Sequence, residues 1–238
     1  MANGLTYAFI PARGNSKRVP GKNKRLLAGR PLIYYTLKVA LLCEEIDMVC
    51  VSSEDEELLL LSGDIAAELG QSHKLMRMTR DKRLAMDHVQ TDEVALDMLR
   101  RIEAIPYVDN PETIVMLAPT SPLRTADTLA RALDEWEESG NGEYAKCVIT
   151  VNKITGWFYS NSWEAITGTP AFREGTQEAT ENFVLKENGS VYITSARVLS
   201  KYRSYRIYPW ILLEDNDTVD VDTLEDWDEA EKALESKE

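Results

Sequence analysis

The stretch from Tyr7 to Pro31 constrains this chain more than any other segment. It begins as a short apolar run that ends at Pro11, and residues rich in Gly, Pro, Asn, Lys and Arg follow. The cations in it are Arg13, Lys17, Arg18, Lys22, Lys24, Arg25 and Arg30. The first acid of the chain is Glu44, although the formal net charge is −13. A cationic loop in an anionic protein predicts a polyanionic small ligand, with a solvated basic loop as the alternative.

The composition narrows the function classes. The negative net charge argues against nucleic acid or an anionic membrane as partner, because both require a cationic face. No apolar run approaches the roughly 20 residues of a membrane span, and no signal peptide is expected at the N-terminus. Three cysteines without metal-ligand spacing favour a reducing cytoplasm. With only His73 and His88, a histidine metal cluster is excluded.

Apolar runs alternate with helical patterns along the first two thirds of the chain. The predicted strands are Leu5–Pro11, Asp47–Ser53, Thr113–Ala118 and Ala145–Val151. The predicted helices are Pro31–Cys43, Glu54–Leu69, Val89–Ile105 and Thr125–Ser139. This order predicts an α/β fold with a Rossmann-like, doubly wound, mostly parallel sheet. Such sheets bind ligands at the carboxyl ends of their strands, where the loop after the first strand would lie.

The alternation stops between Asn152 and Asn182, a stretch rich in aromatic residues. A structureless loop of about 30 residues would be unusual inside a compact domain. We interpret it as an inserted arm that packs on a partner subunit, with a locally folded subdomain as the alternative. Strands at Ser190–Thr194 and Arg206–Leu212 and a helix at Thr223–Leu234 complete one domain that spans residues 1–238.

The loop Arg13–Gly14–Asn15–Ser16–Lys17 is a candidate phosphate site. Glycine lets a backbone approach a phosphate closely, and exposed N–H groups can form an anion nest. Arginine presents a fork to phosphate oxygens, and lysine presents a point charge. The loop matches neither the Walker motif nor Gly-x-Gly-x-x-Gly.

The segment Asp220–Val221–Asp222 is a candidate metal site. If it were a strand, both aspartates would point to one face, where two hard oxygen ligands suit Mg²⁺ together with substrate phosphates. The alternative is helix capping by Asp222 or Thr223, with Glu225 near the third helical position.

The segment Ala118 to Arg124 places two prolines around two hydroxyls directly after a strand. The rigid proline φ angles would fix Thr120 and Ser121 for contact with a ligand. The alternative is a proline-shaped turn into the next helix.

Five motifs together make the chain resemble the CMP-sialic acid synthetases, the acylneuraminate cytidylyltransferases, nearly end to end. They are IPARGNSKRVPGKN at the start, the segment Arg80–Asp87, PTSPLRT at Pro119–Thr125, Asn188–Gly189 with Tyr192, and VDVDTLEDWDEAE near the end. The resemblance implies a nucleotidyltransferase-type fold with a dimerisation arm at residues 152–182. It also implies a cytoplasmic homodimer that uses CTP, Mg²⁺ and an acidic nine-carbon sugar.

The resemblance implies that the sugar's anomeric hydroxyl attacks the α-phosphate of CTP, so that CMP-sugar and pyrophosphate form. The implied CTP-binding residues are Ala12, Arg13, Gly14, Asn15, Ser16, Lys22, Asn23, Arg80 and Thr91. The implied sugar-binding residues are Ala118, Thr120, Ser121, Arg124 and Gln177. Arg13, Lys22 and Asp222 would be catalytic, and Asp220 and Asp222 would hold Mg²⁺.

Two departures from the family pattern bear on the sugar. Ala118 stands where family members often have Gln, and Thr176 stands where they tend to have Arg. The main hypothesis is an N-acylneuraminate-type substrate, and the alternatives are pseudaminic, legionaminic or deaminated sialic acid, or a related 2-keto-3-deoxy sugar acid. A metal-dependent glycosyltransferase and a catalytically silent nucleotide-binding protein are the other hypotheses.

Overall fold

The computed structural model describes residues 4–141, 143, 146–162, 164, 166, 183–205, 209–213 and 219–236. The strands are β1 (Thr6–Pro11), β2 (Leu26–Leu27), β3 (Arg30–Pro31), β4 (Met48–Ser53), β5 (Leu75–Thr79), β6 (Thr113–Leu117), β7 (Cys147–Thr155), β8 (Phe183–Ser195) and β9 (Pro209–Leu213). The α-helices are α1 (Leu32–Leu42), α2 (Glu56–Glu68), α3 (Thr91–Glu103), α4 (Ala126–Glu138), α5 (Ala196–Tyr202) and α6 (Leu224–Glu235). Within this part of the chain, no helix is long and apolar enough to cross a membrane.

In the described residues, a seven-stranded sheet forms the centre, in the order β5-β4-β1-β6-β8-β7-β9. Strand β1 pairs in parallel with β4 on one side and β6 on the other, and β4 pairs in parallel with β5. The mostly parallel doubly wound sheet expected from the sequence is therefore confirmed. Strand β8 runs antiparallel to both β6 and β7. Strand β9 is parallel to β7.

Strand β1 fixes the position of the site because it is the switch point of the sheet. Its neighbours β4 and β6 lie on opposite sides, so the loops after β1 and β6 diverge and leave a crevice. Tyr7 and Phe9 face one core cluster, and Ala8 and Ile10 face another. Because β1 is buried on both faces, its residues from Tyr7 to Ile10 are all hydrophobic and do not alternate with polar ones.

Helices cover both faces of the sheet. Leu37 of α1, Leu58 of α2 and Trp136 of α4 pack in one cluster. Leu99 of α3 and Leu199 of α5 pack in the other. Helix α5 and the short β2–β3 ribbon were not predicted, since neither carries enough apolar residues to reveal a period.

A third cluster attaches the end of the chain to the first loop. Val219, Val221 and Trp227 pack against Val19 and Leu27. Residues 219–222 form no strand, so the strand geometry that would place both aspartates on one face is absent here. The side chains still alternate in their exposure to solvent. The two valines are buried, whereas Asp220 is exposed and Asp222 is half-buried.

Capping at α6 differs in detail from the expectation. Thr223 is the N-cap, and its hydroxyl accepts from the backbone N–H of Asp226 at 3.2 Å. The Asp226 carboxylate accepts in return from the backbone N–H groups of Thr223 and Asp222 at 2.7 and 2.9 Å. The third position is therefore filled by Asp226 and not by Glu225. This box fixes the backbone next to Asp220 and Asp222.

The arm predicted at residues 152–182 lies largely outside the described residues. Its first four residues, Asn152–Thr155, belong to β7 and pair with Phe183–Lys186 of β8. Trp163, Phe172, Thr176 and Gln177 are among the residues outside the description. The single-domain assignment and the arm stay predictions.

The buried side chain of Arg124 connects three of the segments around the crevice. Its side chain is only 4% exposed. It donates to the carbonyls of Ser190 and Ala118 at 2.8 and 2.9 Å and to the Thr36 hydroxyl at 3.0 Å. The guanidinium thus joins α1, the segment after β6 and strand β8.

We expect Arg124→Ala to lower the free energy of unfolding by about 3 kcal/mol, because it leaves buried acceptors without a charged donor. Arg124→Lys should be intermediate, since an ammonium cannot reproduce the fork. Urea denaturation measures both. The control is Arg83→Ala, which removes an exposed arginine paired with Asp81 and should cost little. Equal losses in the Arg124→Ala and Arg83→Ala variants would contradict this connecting role.

Candidate active site

A cavity of about 390 Å³ opens at the carboxyl edge of the sheet, beside the switch point. Segments that follow β1, β5 and β6 line it together with β8 and the segment that precedes α6. The lining includes Pro11, Arg13, Lys22, Asn23, Arg80, Asp87, Thr91, Met116, Ala118, Thr120, Gly189, Tyr192, Tyr205 and Asp220. Residues from the two ends of the sequence, Arg13 and Asp220, therefore share one cavity.

Arg13 and Lys17 meet an acid from the opposite wall. Arg13 NH1 lies 2.8 Å from Asp87 Oδ1, and Lys17 Nζ lies 2.5 Å from Asp87 Oδ2. These cations hold the pKa of the Asp87 carboxyl below its usual value, Lys17 most strongly. All three side chains are substantially exposed, so water screens the pairs and an anionic ligand can displace Asp87 at little cost.

Lys22 is buried and connects the first loop to the acidic segment. Its Nζ lies 2.9 Å from both Asp222 Oδ1 and the Val221 carbonyl. An ammonium has three donors, so one is left for a ligand in the cavity that Lys22 lines. Arg18 NH2 lies 3.1 Å from the other Asp222 oxygen. Asp222 itself is not among the residues that line the cavity.

Gly14 serves a packing purpose that the sequence did not suggest. A Cβ at Gly14 would lie 2.6 Å from the Asp55 Cβ, so the glycine allows close packing against the segment that follows β4. Its N–H donates to Glu54 Oε1 at 2.8 Å. Gly14 is therefore not among the cavity-lining residues, and the expected phosphate nest does not involve this N–H group.

The remaining residues predicted for CTP divide into two groups. Asn23, Arg80 and Thr91 line the cavity, whereas Ala12, Asn15 and Ser16 do not. Ala12 is fully buried, and its N–H donates to the Ser52 carbonyl at 3.0 Å. Asn15 is exposed and Ser16 is half-buried on the first loop.

Asn23 carries an unused acceptor at the cavity. Its side chain is 4% exposed, and its Nδ2 donates to the Arg13 carbonyl at 2.9 Å. Within the described residues its Oδ1 is buried and has no hydrogen-bond partner. A buried acceptor without a donor costs about 1–3 kcal/mol, so a ligand that donates to Asn23 would recover this loss.

Asp220 is the carboxylate best placed for a cation. It lines the cavity and is exposed to it, yet the protein atoms around its carboxylate desolvate it in part, which raises its pKa although the Thr120 hydroxyl donates to it. A divalent cation would relieve that cost. In the described part of the chain, no three His, Cys, Asp or Glu residues group as metal ligands. Asp220, with Asp222 nearby, fits Mg²⁺, which can take one or two carboxylates and complete its shell with substrate phosphates and water.

Asp222 would have to exchange a partner to join such a site. Both of its oxygens already contact cations, Lys22 and Arg18. The Arg18 side chain is 65% exposed and can leave more easily than the buried Lys22. The two aspartates and the cationic loop therefore lie in one region. Asp220 lines the cavity, whereas Asp222 is paired with Lys22 and Arg18.

The predicted sugar residues are only partly brought together. Ala118 and Thr120 line the cavity, whereas Ser121 is buried away from it and Arg124 connects the segments around the crevice. Gln177 lies outside the described residues. Gly189, whose positive φ of 73° suits glycine, brings the β8 backbone to the cavity wall beside Asp220.

Sequence reasoning missed several wall residues. Tyr205 packs edge-on against Tyr192 with ring centroids 5.1 Å apart, and nothing in its local pattern marks it. Met116 and Val94 also line the cavity, but they read only as core residues of a strand and a helix. Glu54, which does not line the cavity but accepts from Arg80, could have been found because it directly follows β4 at the binding edge.

Similar proteins fall in one family. Residues 7–174 match the cytidylyltransferase family. The CMP-N,N'-diacetyllegionaminic acid synthase of Legionella pneumophila is 31% identical over 235 residues, which cover 96% of this chain and 95% of that protein. The N-acylneuraminate cytidylyltransferase of Streptococcus agalactiae is 28% identical over 226 residues, which cover 92% of this chain and 51% of that protein.

The fold has a close match among solved structures. A CMP-2-keto-3-deoxy-manno-octonic acid synthetase in complex with CTP aligns with a TM-score of 0.67 at 16% identity, over 98% of this chain and 100% of the other. The chain therefore belongs to the sialic-acid-type cytidylyltransferase family and is a nucleotidyltransferase.

Proposed function

We propose that this protein joins CTP to a nine-carbon 2-keto sugar acid of the legionaminic type, forming a CMP-sugar and pyrophosphate. The observation that carries the proposal is that Arg13, Lys22 and Asp220 line one cavity at the switch point of the sheet. Cations suit a triphosphate, and a carboxylate suits the metal that accompanies it.

The reaction needs positioning and charge neutralisation more than covalent help. The sugar's anomeric oxygen forms a bond to the α-phosphorus while the bond to the bridging oxygen of pyrophosphate breaks, and the hydroxyl proton is released. Arg13 and the free donor of Lys22 hold the phosphates and neutralise the charge that builds on the leaving pyrophosphate. Asn23, Arg80 and Thr91 hold the cytidine end.

We propose that Asp220, joined by Asp222, holds Mg²⁺. When bound, the ion would offset phosphate charge and acidify the attacking hydroxyl. Thr120 orients Asp220 through its hydroxyl, and Gly189 lies beside that carboxylate. Lys22 keeps Asp222 turned toward the first loop.

Two observations favour a legionaminic-type sugar over N-acylneuraminate. The relative that acts on N,N'-diacetyllegionaminate aligns over nearly the full length of both proteins, whereas the streptococcal N-acylneuraminate enzyme aligns over about half of its own. Ala118 places a methyl group at the cavity wall where many family members have a Gln amide. A second acetamido group in place of a hydroxyl suits this less polar wall. N-acylneuraminate is the second candidate.

We further propose that the protein is a homodimer through the arm at residues 152–182, as part of a single domain. Ile154, Tyr159, Phe183 and Leu185 lie on or near the far end of the β7–β8 ribbon and are all exposed. Apolar side chains concentrated at the end of a ribbon support contact with a second copy. We also propose that the protein lies in the cytoplasm, where CTP is available.

Asp220→Asn should reduce Mg²⁺-dependent pyrophosphate release by about 100-fold or more, because the amide cannot offset the charge of a cation. Higher Mg²⁺ should not restore the rate, and thermal stability should stay close to that of the wild type. Coupled phosphate detection with a Mg²⁺ titration measures the effect.

The matched control is Asp228→Asn, which changes an exposed acid on α6 outside the cavity. It should retain the wild-type rate. A near-normal rate in Asp220→Asn, or an equal loss in both variants, would refute the metal role.

The sugar assignment predicts that kcat/KM for N,N'-diacetyllegionaminate exceeds that for N-acetylneuraminate at least tenfold, since a lost polar contact is worth about 1–3 kcal/mol. Ala118→Gln should narrow this ratio by raising kcat/KM for N-acetylneuraminate. Pyrophosphate release across a panel of sugars, with CTP at saturation, measures both.

Ala126→Gln makes the same change at an exposed position at the start of α4 and should leave the ratio unchanged. If the wild type preferred N-acetylneuraminate, that result would contradict the legionaminic assignment. It would still be consistent with the proposed cytidylyltransferase activity.

A further inference from the structure

Glu54 lies outside the cavity lining, yet it contacts two of the segments that form the cavity. It directly follows β4, and its carboxylate reaches both the loop after β1 and the residue after β5. Its Oε1 accepts from the Gly14 N–H at 2.8 Å. Its Oε2 accepts from Arg80 Nε and NH2 at 3.1 and 2.9 Å. One carboxylate therefore ties together the ends of three adjacent strands.

The pair formed by Glu54 and Arg80 is well shielded from water. The side chains of Glu54 and Arg80 are 12% and 3% exposed, so removing either one would leave a shielded charge without its partner. The Arg80 backbone N–H also donates to the Ser53 carbonyl at 2.9 Å. Arg80 is consequently fixed at both its backbone and its side chain.

This geometry decides which Arg80 donors face a ligand. A guanidinium has five N–H donors, and Glu54 engages Nε and the NH2 group. The NH1 donors have no partner among the described residues, and Arg80 lines the cavity. Without Glu54, the buried guanidinium would lose its hydrogen-bonded counter-ion. Arg13, which repels it, and Asp97, which attracts it more weakly, would remain near it.

We propose that Glu54 is a positioning residue for nucleotide binding: it aims the free edge of Arg80 into the cavity and holds the first loop by Gly14. The proposal rests on the proposed use of CTP. It assigns a role to an acid next to a site that attracts anions, where an acid without partners would oppose binding. Since the residues proposed for the sugar, Ala118 and Thr120, follow β6, the effect of Glu54 should appear in the CTP parameters and not in those of the sugar.

The test compares Glu54→Gln, Arg80→Lys and the double variant by calorimetry with CTP alone and by steady-state kinetics. Glu54→Gln keeps the shape but offers an amide that cannot accept from both sides. We expect the CTP dissociation constant and the KM for CTP to rise at least tenfold, with the KM for sugar within twofold of the wild type. Glu54→Asp, which keeps the charge, should recover part of the affinity.

The double variant separates positioning from an independent effect. If Glu54 acts through Arg80, the loss in Glu54→Gln/Arg80→Lys should be clearly smaller than the product of the single losses. The control is Glu57→Gln, which changes an exposed acid in the first turn of α2 that pairs with Lys24. It should leave the CTP parameters unchanged.

Three results would overturn the role. They are unchanged CTP affinity in Glu54→Gln, losses that multiply in the double variant, and a lower melting temperature with normal CTP affinity in the folded protein. Each of these leaves the proposed function intact, provided that the wild type binds CTP. Wild-type protein that neither binds CTP nor releases pyrophosphate would instead contradict the proposed function and this inference together.

Discussion

The structure depends on the burial of Val219 and Val221 against the first loop. Both valines pack with Val19, Leu27 and Trp227, and each buried valine is worth about 2 kcal/mol. This packing holds the last segment of the chain over the loop that begins the chain. Asp220 and Asp222 alternate with these valines and therefore must face the cationic side chains. Apolar contact thus places the aspartates proposed to bind a metal beside the cations proposed to bind phosphate.

The cations around the cavity pair with acids, and these ion pairs differ in how far they are exposed to solvent. Arg80 is paired with Glu54 and Lys22 with Asp222 in shielded contacts, whereas Arg13 and Lys17 share the exposed Asp87. Shielded pairs fix geometry, because separating them would leave an uncompensated buried charge. Exposed pairs exchange readily with solvent and ligands. The cavity therefore combines a fixed end at Arg80 with an exposed cationic end at Arg13, as the proposed binding of CTP requires.

Much of the fold followed from pattern, and the failures have physical causes. The doubly wound sheet followed from alternating apolar runs and helical stripes, because burial on both faces requires them. The strand considered for Asp220–Asp222 does not form, although the two buried valines give the same alternation. The roles predicted for Gly14 at a phosphate and for Arg124 at the sugar stay predictions. In the structure, the missing Gly14 side chain makes room for Asp55, and Arg124 donates to two backbone carbonyls and to the Thr36 hydroxyl.

The sequence alone determined the class of fold, the family, and the presence of a cationic loop and a late acidic pair. These depend on residue type and spacing, which can be read directly from the chain. Only the tertiary structure decided that Arg13 and Asp220 line one cavity, that Asp222 is held by Lys22 and that Glu54 supports Arg80. Contacts between residues far apart in the chain depend on how helices and strands pack. The local periodicity of apolar residues in the sequence does not specify that packing.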